Sequence, residues 1–182
     1  MEENTRIIAI ALSVLGVVAL FFSTNDQIKW LTAPGLLLLA AGIALFGVRD
    51  ISNLRAYEYD EHSRRTHTYT GVTAILGGVF LLMIAAGLAA AGLAAAAGTG
   101  DALWDYLRRR PGVGLLLLGV SFLAGGTKYL IGPKEDQGTQ WDVILRSLPR
   151  RVFGAFLALL GLAGALEALA PAGFDRLIAR LF

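Results

Sequence analysis

The chain has 182 residues, of which 55 % are apolar and only 16 % are charged, whereas soluble domains carry about 25 % charged residues. It contains no cysteine, which excludes disulfides, thiolate metal ligands and thiol catalysis. Its formal net charge of +2 is too small to indicate a nucleic-acid partner.

Five long stretches are almost free of charged residues, and each is long enough to cross about 30 Å of hydrocarbon as a helix. This pattern predicts an all-α integral membrane protein, a single membrane domain of residues 1–182 that spans the cell membrane several times. The lipid bilayer is its expected surrounding, and no nucleic acid is expected as a partner. The predicted spans are about residues 7–23, 31–48, 70–98, 112–131 and 152–170.

The first stretch is interpreted as a span rather than a signal peptide. It follows an acidic start, Met-Glu-Glu-Asn-Thr, and no small-x-small cleavage site comes after it. Loop charges favour a cytoplasmic N-terminus, because ten basic residues then lie on the cytoplasmic side and six on the other. The segment LRRRPG departs from this rule, since it falls on the other side.

Two spans begin with the same dipeptide, at Pro34–Gly35 and Pro111–Gly112. Proline is tolerated in the first turn of a helix, where its missing N–H has no partner to lose. The spans that precede them are also alike, VLGVVALFF against ILGGVFLLM. This predicts two hairpins in parallel repeat, spans one and two and spans three and four, followed by an unpaired fifth. Chance resemblance between Leu- and Gly-rich spans is the alternative.

The run GLAAAGLAAAAG (residues 87–98) continues the third span directly, so it is predicted to be helical rather than a flexible linker. Only a helix satisfies the backbone of such a segment inside lipid. Small residues recur along the third and fifth spans and would let helix backbones approach closely, within the chain or against another subunit. The predicted helix-packing residues are Gly71, Gly78, Ala85, Gly92, Gly154, Ala158, Gly161 and Ala165.

The loop of residues 49–69 is the only extended polar segment and is predicted to be cytoplasmic. Acidic residues precede basic ones by four positions, which favours an exposed helix, with a partner-docking surface as the alternative. A metal site in this loop is disfavoured because its two histidines are five residues apart, on different helical faces. The spaced pairs are Glu58–His62, Asp60–Arg64 and Glu61–Arg65, and the disfavoured metal set is Glu58, Asp60, His62 and His67.

Three short amphipathic segments are predicted to lie in the membrane interface or on a partner protein. The first is GDALWDYLRRR, with Asp101 placed to cap its start. The second is TQWDVILRSLP, and the third is a C-terminal helix of residues 172–182.

Two ionisable residues within the spans are candidates for a functional role, because buried charge in a membrane is costly and marks ion pathways. Glu167 is expected to reach the headgroups at one end of the fifth span, and Lys128 to snorkel to water at the opposite face. Their placement at opposite faces would prevent them from pairing within one chain.

No set of residues typical of a catalytic, cofactor or metal site occurs in the spans. We therefore predict a non-catalytic accessory or assembly subunit of a larger membrane complex, with other membrane-protein subunits or further copies of the chain as partners. The alternative is a small homo-oligomeric transporter or channel for an ion or small solute. An enzyme would have to draw its chemistry from the polar loop, through His62 and His67.

Overall fold

A computed structural model describes residues 2–24, 26–60, 65–109, 111–134 and 141–170 of the chain, and these residues are mostly helical. Within them, five helices are long and apolar enough to cross a membrane, which confirms the prediction of a multi-pass helical protein. The elements are α1 (Glu2–Phe22), a 3₁₀ helix (Asp26–Leu31), α2 (Thr32–Asn53), β1 (Arg55–Asp60), β2 (Arg65–Thr70), α3 (Val72–Ala96), α4 (Gly100–Arg109), α5 (Pro111–Ile131) and α6 (Trp141–Leu169).

The five membrane helices lie side by side in one row, in the order α1, α2, α3, α5, α6. Each packs on its neighbours in the row, and α1 and α6 make no extensive contact with each other among the described residues. The apolar segments of these two edge helices are only 11 % buried, against 22 to 28 % for the three middle helices. The row is therefore open at both ends, and most of the apolar residues of α1 and α6 are not buried within the described part of the chain.

Helices α5 and α6 pack backbone to backbone along a seam of small residues. A methyl group added at Gly119 would lie 2.7 Å from the backbone nitrogen of Ala165 and 2.8 Å from the carbonyl oxygen of Gly161. A methyl group at Gly126 would lie 2.6 Å from the carbonyl oxygen of Gly154. Dispersion between such close backbones holds helices together where lipid removes the hydrophobic driving force. Four of the predicted packing residues lie in this seam: Gly154, Ala158, Gly161 and Ala165.

The predicted packing residues of α3 have two different roles. A methyl group added at Gly78 would lie 2.6 Å from the carbonyl oxygen of Gly47 on α2, and Gly92 packs on leucine side chains of α2. Ala85, between them, is buried. Gly71 lies outside this seam, because it precedes α3 with a φ of +60° and no atom lies within 4 Å of an added methyl group. Its left-handed backbone accounts for the glycine.

Spans one and two are in contact, as are spans three and four, but the fifth span is not unpaired as predicted. The fourth and fifth spans, α5 and α6, form the most extensive helix contact of the described residues, whereas α3 and α5 meet over a smaller area. The physical reason lies in the side chains between the helices. Phe80 and Lys128 project between α3 and α5, against Gly125 and Gly77, and keep those backbones apart, whereas the glycines of the α5–α6 seam meet the backbone of the facing helix directly.

The polar loop forms an antiparallel β-hairpin instead of the predicted exposed helix. Its register sets Ala56 opposite Tyr69 and Glu58 opposite His67. The strand sequences RAYEYD and RTHTYT carry Tyr or Thr at every second position, and these residue types favour strands. Helical charge pairs four residues apart contribute only about 0.2–0.5 kcal/mol each, too little to oppose this pattern. The base of the hairpin is closed by the Gly71 N–H, which donates to the Leu54 carbonyl at 3.0 Å.

The three predicted amphipathic segments have different outcomes. The first forms α4, but Asp101 lies in its first turn instead of capping it, because the helix already begins at Gly100. The second is continuous with the fifth span, since α6 runs without interruption from Trp141 through Pro149. The C-terminal segment, residues 172–182, lies outside the described residues.

Candidate functional site

One face of the hairpin meets the last turns of α5 in a group of four side chains, which we term the junction cluster: Glu58, Tyr69, Lys128 and Tyr129. The Lys128 ammonium donates to Glu58 Oε2 at 2.8 Å, and the Tyr129 hydroxyl donates to Glu58 Oε1 at 3.1 Å. Lys128 Nζ also lies 4.2 Å from the ring centre of Tyr69 and 5.0 Å from that of Tyr129. The cation is therefore held by one carboxylate and the faces of two aromatic rings.

Three elements place the members of this cluster. Glu58 on β1 and Tyr69 on β2 share one face of the hairpin, because they belong to cross-strand pairs two residues apart. Lys128 lies in the last turn of α5. Helix α3 passes beside it at Gly77, where an added methyl group would lie 3.3 Å from Lys128 Cδ. The absence of a side chain at Gly77 thus leaves room for the lysine stem.

The electrostatics of the cluster favour a charged Glu58. Burial raises the pKa of this carboxyl, but the Lys128 charge and hydrogen bonds from Lys128, Tyr129 and Tyr69 outweigh burial and hold the pKa below its ordinary value of 4.5. Tyr69 is buried, and burial together with the neighbouring Glu58 charge raises its pKa. Its hydroxyl consequently stays protonated and can donate to the carboxylate.

The lowered pKa of Glu58 predicts an acid-dependent loss of stability. A carboxyl whose pKa is lower in the folded state than in the unfolded state stabilises the fold at pH values above its unfolded pKa, here 4.5. This contribution disappears as the pH falls through the folded pKa. We therefore expect the stability difference between wild type and Glu58→Gln to be constant near neutral pH and to shrink below about pH 4.5. Denaturant unfolding of both proteins in detergent, from pH 7 to pH 3, measures it. A difference that is independent of pH would contradict the prediction.

A second contact joins the hairpin to α6. Arg150 Nη2 lies 3.3 Å from His67 Nε2. His67, a member of the disfavoured metal set, therefore lies beside the Arg150 cation. No group of three His, Asp or Glu side chains that would hold a metal ion occurs among the described residues. His62, the other histidine considered, lies outside them.

The two candidate ionisable residues of the spans have different surroundings. Lys128 does not snorkel to water as expected, because its side chain is only 13 % exposed and is bound to Glu58. Glu167 lies near the end of α6 and is half-buried; its Oε2 is shielded from solvent and has no hydrogen-bond partner among the described residues. Lys128 thus has a defined role in the fold. The hydrogen-bonding capacity of Glu167 Oε2, by contrast, is not satisfied within the described part of the chain.

Sequence reasoning does not identify Glu58, Tyr69 and Tyr129 as the partners of Lys128. The signal that finds two of them is the alternation of residue types in the loop, which indicates strands and so puts Glu58 and Tyr69 on one face. The cluster fastens the hairpin to α5, because both carboxylate oxygens of Glu58 accept hydrogen bonds from side chains of α5.

No family model, no curated protein and no solved structure matches the chain. Its function is inferred from the residues and their arrangement.

Proposed function

We propose that the chain is a non-catalytic accessory or assembly subunit of a larger membrane protein complex, held in the cell membrane with its N-terminus in the cytoplasm. The observation that carries this proposal is the open row of five helices. The edge helices α1 and α6 have one extensive helix neighbour each among the described residues, and most of their apolar surface is exposed. Such a layer suits a subunit that packs against other membrane helices on its faces or edges.

The outer surface of α3 supports the same proposal. Ala86, Gly87 and Ala90 are exposed, and no atom lies within 4 Å of a methyl group added at Gly87. The small side chains make this part of the helix shallow, so the backbone of a partner helix can approach it closely. The inner side of the same helix is already occupied by α2 and α5. A subunit role uses both sides, one for its own fold and one for assembly.

The junction cluster also fits a structural role better than a catalytic one. Glu58 is held by Lys128 and Tyr129, and Lys128 is enclosed by aromatic rings, so neither group is placed to exchange a proton with a substrate. A fixed hairpin between α2 and α3 is instead a rigid surface outside the membrane. We assign it a role in keeping the row in one arrangement for assembly.

A bulky side chain at position 87 tests the proposal. We expect Gly87→Leu to leave the chain folded, because the added side chain meets open space within the chain, but to reduce its recovery in a complex in mild detergent by at least about tenfold. Size-exclusion chromatography and native mass spectrometry measure the complex, and thermal melting measures the fold. Ala90→Leu, one turn further along the exposed surface, is expected to act in the same way.

The matched control is Gly87→Ala, which adds a single methyl group at the same position and is expected to keep the complex. If wild type purifies as a monomer of this chain alone, the accessory role is wrong. If Gly87→Leu retains the complex at the wild-type level, α3 is not the contact surface.

Glu167 favours a second candidate, a homo-oligomeric transporter or channel. Its shielded Oε2 has no partner among the described residues, and it lies on α6, an edge helix that a second copy of the chain can reach. Several copies would then bring their Glu167 carboxylates into a ring. Ion flux into liposomes that contain the purified chain, abolished by Glu167→Gln and kept by Glu167→Asp, would favour this candidate. Absence of flux in the wild-type protein would exclude it.

A further inference from the structure

A cleft of about 310 Å³ opens on one face of the row, over α2 and between α1 and α3, on the same side as the hairpin. It is separate from the junction cluster, and Tyr57 of the hairpin is its one lining residue from β1. Three charged side chains line its polar end: Arg6 from α1 and Arg49 and Asp50 from α2. The ends of α1 and α2 come together here because the two helices are consecutive and antiparallel.

The polar end of the cleft carries an excess of positive charge. Arg49 donates to Asp50 Oδ1 through Nη2 at 2.7 Å and through Nε at 3.2 Å, and its guanidinium carbon lies 5.2 Å from the ring centre of Phe46. Its side chain is only 15 % exposed, so the guanidinium is held in one place. Asp50 neutralises one of the two arginines, and Arg6 leaves a charge of +1 at the cleft. An anion is the ligand that this balance favours.

The rest of the cleft is apolar and extends along the membrane helices. Ile43 lies seven residues before Asp50, about 10 Å along the helix axis. Ile10 on α1 and Leu81 on α3 line the same region, and both belong to membrane spans. A soluble anion would use the polar end alone. An amphiphile with an anionic headgroup and a hydrocarbon chain matches both parts of the cleft.

We propose that this cleft binds the phosphate headgroup of an anionic phospholipid, with Arg6 and Arg49 on the phosphate and the first part of an acyl chain along Ile10, Ile43 and Leu81. The cleft is large enough for the headgroup and the adjoining carbons, and the remainder of the chains lies in the bilayer. Arg49 is the preorganised contact because Asp50 orients it. Arg6, which is exposed at the rim, adds charge and selects anionic over zwitterionic lipid.

The test compares lipids on the purified chain. Protein in a neutral detergent is titrated with phosphatidylglycerol or with phosphatidylcholine, and bound lipid is counted by native mass spectrometry. We expect the anionic lipid to bind at least about tenfold more tightly. Arg6→Gln is expected to weaken its binding about fivefold, whereas Arg109→Gln, the same change of charge on exposed α4, is expected to leave it unchanged.

Two further arms separate a lipid from a free anion and binding from folding. Ile10→Trp, which fills the apolar part of the cleft, should weaken lipid binding, and inorganic phosphate at millimolar concentration should not displace the lipid. Melting of each variant without added lipid establishes that it is folded. At position 49 the substitution is Arg49→Lys, because lysine keeps the positive charge beside Asp50. Equal binding of the two lipids, equal effects of Arg6→Gln and Arg109→Gln, or displacement by phosphate alone would each overturn the proposal.

Discussion

Replacement of Gly161 by alanine is expected to destabilise the protein by about 3 kcal/mol, because its added methyl group is among the most tightly enclosed of the described glycines. The added methyl would lie 2.6 Å from the carbonyl oxygen of Gly119 and would also meet the backbone nitrogen of Leu123. Both atoms belong to the α5 backbone, so relief requires the two helices to move apart. That movement separates the whole seam and forfeits its dispersion contacts.

The matched control is Gly87→Ala in α3. It makes the same chemical change inside a membrane helix, but no atom lies within 4 Å of the new methyl group. Alanine has a higher helix propensity than glycine by about 1 kcal/mol, so this variant is expected to be neutral or slightly stabilising. Unfolding in mixed micelles with increasing fractions of a denaturing detergent measures both variants. Equal stability of Gly161→Ala and Gly87→Ala would mean that the α5–α6 seam does not exist.

The same argument predicts a graded result at Gly77. A methyl group there meets Lys128 Cδ at 3.3 Å, and this atom belongs to a flexible side chain rather than to a backbone. The lysine stem can shift by a few tenths of an ångström, so we expect Gly77→Ala to cost less than Gly161→Ala. The order of the three alanine variants, rather than any one value, reports how closely the backbones approach.

The second large effect is expected at the ion pair of the junction cluster. Glu58→Gln removes the counter-charge of Lys128 while the lysine stays between two aromatic rings with a side chain that is only 13 % exposed. Breaking a fully buried ion pair costs about 3–5 kcal/mol. The Glu58 side chain is 38 % exposed, and solvent screens the pair, so we expect about 2 kcal/mol.

A double-mutant cycle separates the pair from the individual side chains. Lys128→Met keeps the length and apolar contacts of the stem but removes the charge. We expect the double variant to be less destabilised than the sum of the single variants, by about 1 kcal/mol or more, because each single change leaves one charge without its partner. Asp105→Asn, on the exposed surface of α4, is the control for loss of one carboxylate and should be silent. Additive effects within 0.3 kcal/mol, about the error of such cycles, would show that the pair is not coupled.

The cluster also predicts how the hairpin behaves. Two strands alone are marginally stable in water, and this hairpin depends on contacts of Glu58 and Tyr69 with the helices. Loss of the ion pair should therefore release the strands before the membrane helices separate. Rigidity of this surface, which the proposed assembly role requires, thus depends on a contact between a strand and a helix that are distant in the chain.

Hydrophobic length and composition are local properties, and they were sufficient for part of the structure. A segment of about 20 uncharged apolar residues has to be helical in lipid, because no water is present to satisfy its backbone. The number of membrane helices and the helical state of the Ala- and Gly-rich run from Gly87 to Ala96 follow from this reasoning. The short helix beginning at Gly100 follows instead from its amphipathic pattern. The small residues also indicated that backbones approach closely, although not which helices supply the neighbours.

The tertiary structure decided the remaining features, because they depend on residues far apart in the chain. Glu58 and Lys128 are 70 positions apart, and no local pattern connects them. The fifth span packs on the fourth because glycines on each helix let the two backbones meet, whereas the repeat of Pro-Gly dipeptides at Pro34 and Pro111 suggested an unpaired fifth span. Sequence alone thus determined which segments enter the membrane, since that depends on each segment and its solvent. The neighbours of each helix and the partners of each charge were decided only by the tertiary structure, since they depend on the shapes of two surfaces at once.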